Sequence, residues 1–83
     1  MTEYKWDENK NIKLQLEGRP SFEDAVIAIE KNGVLADLVS YKHPGQRLIF
    51  VLINNYVHVI PYENRGNTKW LITIYPSRKA NKR

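Results

Sequence analysis

The spacing of apolar residues changes at Gly33, and that change decides what the chain can fold into. Before it, Phe22, Ala25, Val26 and Ile29 recur at intervals of three and four, the stripe of an amphipathic helix. After it, LIFVLI and TKWLITIY are rich in the β-branched and aromatic residues that suit a pleated sheet. Eighty-three residues make a single domain, so helices and strands share one core. The expected class is α+β, with two N-terminal helices on one face of a twisted antiparallel sheet in the order β-α-α-β-β-β-β.

Local signals place the elements. Residues 3–6 read as a short strand, with Asp7 as N-cap of a helix over 8–17 that Gly18 ends. Ser21 with Asp24 reads as a capping box for a second helix that stops near Asn32 and Gly33. Strands follow over 34–41, LIFVLI, YVHVIPY and TKWLITIY, joined by the KHPGQ loop, an Asn54–Asn55 turn and an Arg65–Gly66 turn.

These turns imply registers. Asn54–Asn55 sets Arg47 opposite Tyr62, Phe50 opposite Val59 and Ile53 opposite Tyr56; Arg65–Gly66 sets Tyr62 opposite Lys69 and Val59 opposite Ile72. One face then holds Leu48, Phe50, Leu52, Val57, Val59, Trp70, Ile72 and Ile74, the expected helix-covered core. The other carries the rows Arg47–Tyr62–Lys69, Ile49–Ile60–Leu71, Val51–His58–Thr73 and Ile53–Tyr56–Tyr75. Its mixture of cations, tyrosines and aliphatics fits a partner or a single-stranded ligand.

Charge narrows the function. Residues 1–33 hold five Lys/Arg and seven Asp/Glu, whereas residues 34–83 hold eight and two. A positive field over the second part favours polyanions. Without cysteine there is neither a disulfide nor a thiolate metal site. No apolar run reaches membrane-spanning length, and the start has no hydrophobic stretch behind a basic one, so a cytoplasmic location without a membrane is the expectation. No Walker loop, H-E-x-x-H or paired-carboxylate motif is present, so neither a nucleotide cofactor nor a metal is expected.

Three motifs occur in order: WDENKN at the start, SFEDA at the second helix and PSRKA near the end. The chain thereby resembles the BrnT-type toxins, RelE-like ribonucleases of type II toxin–antitoxin systems, over roughly residues 4–80. The resemblance implies a sheet whose helix-free face binds mRNA, metal-independent and ribosome-independent endoribonuclease activity that arrests growth, and a cognate antitoxin, usually with a ribbon-helix-helix DNA-binding part. Arg47 falls where such toxins place a basic residue after the loop, Arg78 and Lys79 match the terminal R-K, and Lys10 matches the lysine of the opening segment. Between the helices the chain reads LEGRP where the family often has K-H-G, so any role of that histidine is absent.

Metal-free RNA cleavage needs a base for the ribose 2′-hydroxyl, cations on the phosphorane and an acid for the leaving oxygen. The candidates for catalysis are Arg47, His58, Tyr62, Lys69 and Arg78; those for RNA binding are Lys79, Tyr56, Tyr75 and Lys10. Each has a structural alternative: a surface cation on an aromatic for the Arg47–Tyr62–Lys69 row, a half-buried ring bonded to Thr73 for His58, and a solvated tail for Arg78 and Lys79. Asp7 reads better as a cap than as an acid, His43 is expected to face solvent, and Glu63 is a poor base at a turn edge. A non-catalytic member of the same fold, acting by protein or nucleic-acid binding, is the rival reading.

Overall fold

Strand β1 (Glu3–Trp6) ends at Asp7, whose carboxylate accepts from the Asn9 backbone N–H at 2.9 Å and caps α1 (Glu8–Leu16). These elements belong to a computed structural model that describes residues 2–81. Gly18, at φ 77°, turns the chain out of α1, with Gly18 N–H donating to Gln15 O and Arg19 N–H to Leu14 O. Helix α2 (Phe22–Asn32) opens on the expected capping box, Ser21 Oγ accepting from Asp24 N–H while the Asp24 carboxylate accepts from Ser21 N–H. Asn11 ties the helices together. Its side-chain oxygen accepts from the Phe22 N–H at 2.7 Å, and its amide donates to Glu8 and Glu23. Trp6 stacks on Phe22 with ring centroids 5.5 Å apart.

The strands that follow are β2 (Ala36–Val39), β3 (Arg47–Ile53), β4 (Tyr56–Arg65), β5 (Thr68–Leu71) and β6 (Tyr75–Pro76), before a short helix α3 (Arg78–Asn81). The sheet order is β1-β5-β4-β3-β2, with β6 also paired to β4. The helices therefore carry the chain from one sheet edge to the other, and the β2–β5 meander brings it back beside β1. The first strand runs parallel to β5, so the sheet is mixed and not antiparallel. Six strands and three helices replace the five and two expected.

The Asn54–Asn55 turn forms, both residues at positive φ, and the β3–β4 register is the one its length dictates. The next turn falls at Gly66–Asn67 instead of Arg65–Gly66, because Arg65 pairs with Thr68. That slips β5 by two residues, setting Tyr62 opposite Leu71 and Lys69 opposite Asn64. A two-residue slip preserves which face each side chain takes. The TKWLITIY run then breaks. One extra residue between the Tyr62–Leu71 and Val59–Tyr75 pairs makes a bulge, and beyond it the faces exchange. Leu71 and Ile74 both enter the core, and Tyr75 leaves the row assigned to it.

The helices cover the face opposite to the expected one. Ile49, Val51, Ile53, Ile60, Tyr62, Leu71 and Ile74 form one buried cluster with Leu14, Phe22, Ala25, Ala28 and Ile29. Leu48, Phe50, Leu52, Val57, Trp70 and Ile72 are only half-buried on the other side, which is free of α1 and α2. Both faces are apolar in sequence, so alternation alone could not choose between them. Among the described residues no helix is long and apolar enough to cross a membrane.

Candidate nucleic-acid interface

Two groups of cations lie on opposite faces of the sheet. The first centres on Asp37. Pairing with Ile49 turns its side chain to the helix side, at the end that carries Arg47 and Tyr62. Tyr62 donates its hydroxyl to Asp37 Oδ2 at 2.7 Å, and Arg47 Nε donates to Oδ1 at 2.9 Å. Lys69 Nζ stands 4.0 Å from Oδ2 and 4.9 Å from the Tyr62 ring centroid. The expected trio is therefore brought together, with Lys69 reaching diagonally. Burial, and then the bond to Asp37, push the Tyr62 hydroxyl up to about 12. The Asp37 carboxylate likewise holds Arg47 above its ordinary value. Burial raises Tyr4, with the charges of Glu30 and Asp37 adding to it.

Arg47 has a second bond, from its Nη2 to the Asp37 backbone oxygen at 3.0 Å. Ser40 N–H donates to Gln46 O, which marks that pair as hydrogen-bonded within the ladder. Alternation along an antiparallel pair then turns the Asp37 backbone groups outward, at the open edge of β2. Arg47 thus caps an edge carbonyl as well as pairing a carboxylate, a guard against edge-to-edge association. The Nε–Nη2 edge of the Arg47 guanidinium is thus committed to Asp37, and its charge is offset there before any phosphate arrives.

The other candidates do not join this group. His58 is buried four residues from Tyr62 along β4, roughly 13 Å away at strand rise, with Ile60 between them on the same face. Its Nδ1 lies 2.8 Å from the Tyr56 backbone oxygen, where Thr73 was the expected partner. Tyr56 is exposed and meets the His58 ring edge-on. Lys10 sits in the helix layer on α1. The PSRKA end is not a free tail as far as it is described. Asn81 exchanges two hydrogen bonds with the Val57 backbone, fixing α3 and exposing Arg78 and Lys79. Lys82 and Arg83 lie outside the described residues.

The second group lines a groove of about 800 Å³ on the helix-free face. Leu48, Pro61 and Ile72 are apolar lining, the β2–β3 loop brings Tyr41, Lys42 and His43, and the β6–α3 segment brings Tyr75 and Lys79. Tyr41 is 97% exposed. No Asp or Glu is among the residues that line it. The loop is firmly built. His43 N–H donates to Ser40 Oγ, Gln46 N–H donates to His43 O, and Gly45 takes φ 87° behind Pro44. That is a Pro-Gly turn of the kind in which glycine supplies the positive φ.

Tyr41, Lys42 and His43 were not among the expected site residues, although HPGQ spells a turn that presents the residue before it. Asp37 was also missed. Its signal was a carboxylate in the middle of an apolar strand, ADLV, which must find partners once half-buried. Among the described residues no group of three His, Asp or Glu could hold a metal ion. Comparison with protein-family models, curated proteins and solved structures finds no match.

Proposed function

We propose that the chain binds single-stranded RNA in the groove on its helix-free face and cleaves it without a metal, as the toxin of a type II toxin–antitoxin pair. The observation that carries this reading is the groove itself: Lys42, His43 and Lys79 between two tyrosines, lined without a carboxylate. Cations attract phosphates, and an exposed tyrosine offers a stacking surface to any base. The excess of Lys/Arg beyond Gly33 adds a long-range field of the same sign. The three ordered motifs support a RelE/BrnT-like fold order, a cytoplasmic location and a ribbon-helix-helix antitoxin as partner.

Inducing the chain alone in a bacterium tests the reading. Growth arrest with loss of bulk RNA, relieved by Lys42→Glu/Lys79→Glu at equal expression, is the expected result. Unimpaired growth at high expression of the folded chain defeats it. One observation favours the rival, a binding protein without catalysis. Arg47, Tyr62 and Lys69, three of the residues first expected to be catalytic, are all engaged by Asp37. Under that reading RNA is bound in the groove and recovered intact.

A further inference from the structure

We infer that His43 is the proton acceptor for RNA cleavage in the groove, an assignment that rests on the ribonuclease reading above. Of the two histidines, His58 is buried on the other face with its Nδ1 against the Tyr56 carbonyl, whereas His43 lines the groove. Imidazole is the side chain suited to exchange protons in the neutral range. The position of His43 is built in advance. Its backbone is held at both N–H and C=O by the turn, so the ring is presented from a fixed point.

Tyr75 and Lys79 line the same groove from the β6–α3 segment, which joins β4 on the edge that β3 leaves free. An acceptor and a donor entering one groove from different elements suit an in-line displacement, in which the attacking and leaving oxygens lie on opposite sides of phosphorus. The neutral His43 ring takes the proton of the ribose 2′-hydroxyl. The O2′–P bond forms as the P–O5′ bond breaks, and the Tyr75 hydroxyl gives its proton to O5′. Lys79 and Lys42 offset the negative charge that gathers on the phosphorane oxygens. The products are a 2′,3′-cyclic phosphate and a 5′-hydroxyl end. Solvent then returns a proton to Tyr75 and removes one from His43.

The test is single-turnover cleavage of a short, unstructured RNA labelled at both ends, using the full chain and His43→Gln. The wild type should yield cyclic-phosphate ends. His43→Gln should lose at least about 100-fold in rate, while its RNA affinity stays within about twofold. Added imidazole should restore part of the rate to His43→Gly. A His43→Gln variant that cuts at the wild-type rate overturns the role of His43 and leaves the ribonuclease reading standing. So does a rate loss matched by an equal loss of affinity, which makes His43 a binding residue. A wild type that binds this RNA and never cuts it overturns both.

Discussion

Arg47 and Lys69 on one face of the sheet, and Lys42 and Lys79 on the other, are the same chemistry in opposite electrostatic states. The first pair converges on Asp37, with Arg47 bonded to it at 2.9 Å and Lys69 at 4.0 Å. The second pair lines a groove without a carboxylate. A cation already paired to an internal anion has little left to offer a phosphate, whereas a solvated one binds with release of counterions. Counting basic residues on a face is therefore a poor guide to where a polyanion lands. The partners decide it, and in this sheet the partner is a single residue on an edge strand.

The comparison is broken most forcefully at Asp37. Asp37→Ala leaves the Tyr62 hydroxyl, in a side chain 1% exposed, without its acceptor, and leaves Arg47 and Lys69 facing each other. The loss should be about 2 kcal/mol, the range for hydrogen bonds to a charged group, and the melting temperature should fall by roughly 10 °C. Thermal melts of Asp37→Ala, Arg47→Ala and the double variant check this. The double variant should lose clearly less than the sum, since both changes dismantle one network. Additive losses would mean that Asp37 and Arg47 do not act together and that the contrast between the faces is false.

How these faces were read from sequence follows from how far each signal reaches. Asp7, Gly18, Ser21 and Asp24 act within a few residues of themselves, so the helix ends were legible. The motif residues Trp6, Asp7, Asn11, Ser21, Phe22 and Asp24 all serve helix caps or the α1–α2 junction. WDENKN and SFEDA are thus signatures of how the helices are built, and they say little about chemistry. The Asn54–Asn55 turn was equally local and fixed the β3–β4 register. The choice of face was not local, because Leu48, Phe50 and Leu52 are as apolar as Ile49, Val51 and Ile53. The β5 register turned on whether Arg65 or Asn67 joined Gly66 in the turn. The bulge after Leu71 is one residue in an unbroken strand-like run, and alternation cannot see it. Asp37 is separated from Arg47 and Tyr62 by 10 and 25 residues, so their convergence became visible only with the sheet assembled.

Alkaline titration sharpens the same contrast from the Tyr62 side. Its hydroxyl is pushed up to about 12 in the folded chain from 10.0, first by burial and then by Asp37. Between those values the folded state holds a proton that the unfolded state has lost. Stability is therefore full below pH 10 and falls as pH rises toward 12. The loss is at most on the order of 3 kcal/mol. Denaturant midpoints at pH 9 and pH 11.5 should differ more for the wild type than for Tyr62→Phe. Equal shifts in the two proteins would place the alkaline sensitivity elsewhere.

The smallest expected effect separates the two faces directly, through salt. Each phosphate neutralised on a single strand adds roughly −0.7 to the slope of log affinity against log salt. Lys42→Gln/Lys79→Gln removes two free cations, so the slope should flatten by about 1.4 and binding near physiological salt should weaken about tenfold, or about 1.4 kcal/mol. Arg47→Gln/Lys69→Gln removes as much charge from the sequence, yet the slope should hold, because Asp37 and not a phosphate was their partner. That second variant should instead melt early, which separates damage to the fold from damage to the interface. The measurement is a fluorescence titration of a short single-stranded RNA with the His43→Gln background at several salt concentrations below the melting range of every variant. A slope that flattens with Arg47 and Lys69, and stays with Lys42 and Lys79, would put RNA on the Asp37 face. Asp37 would then have to be displaced by the phosphate it resembles.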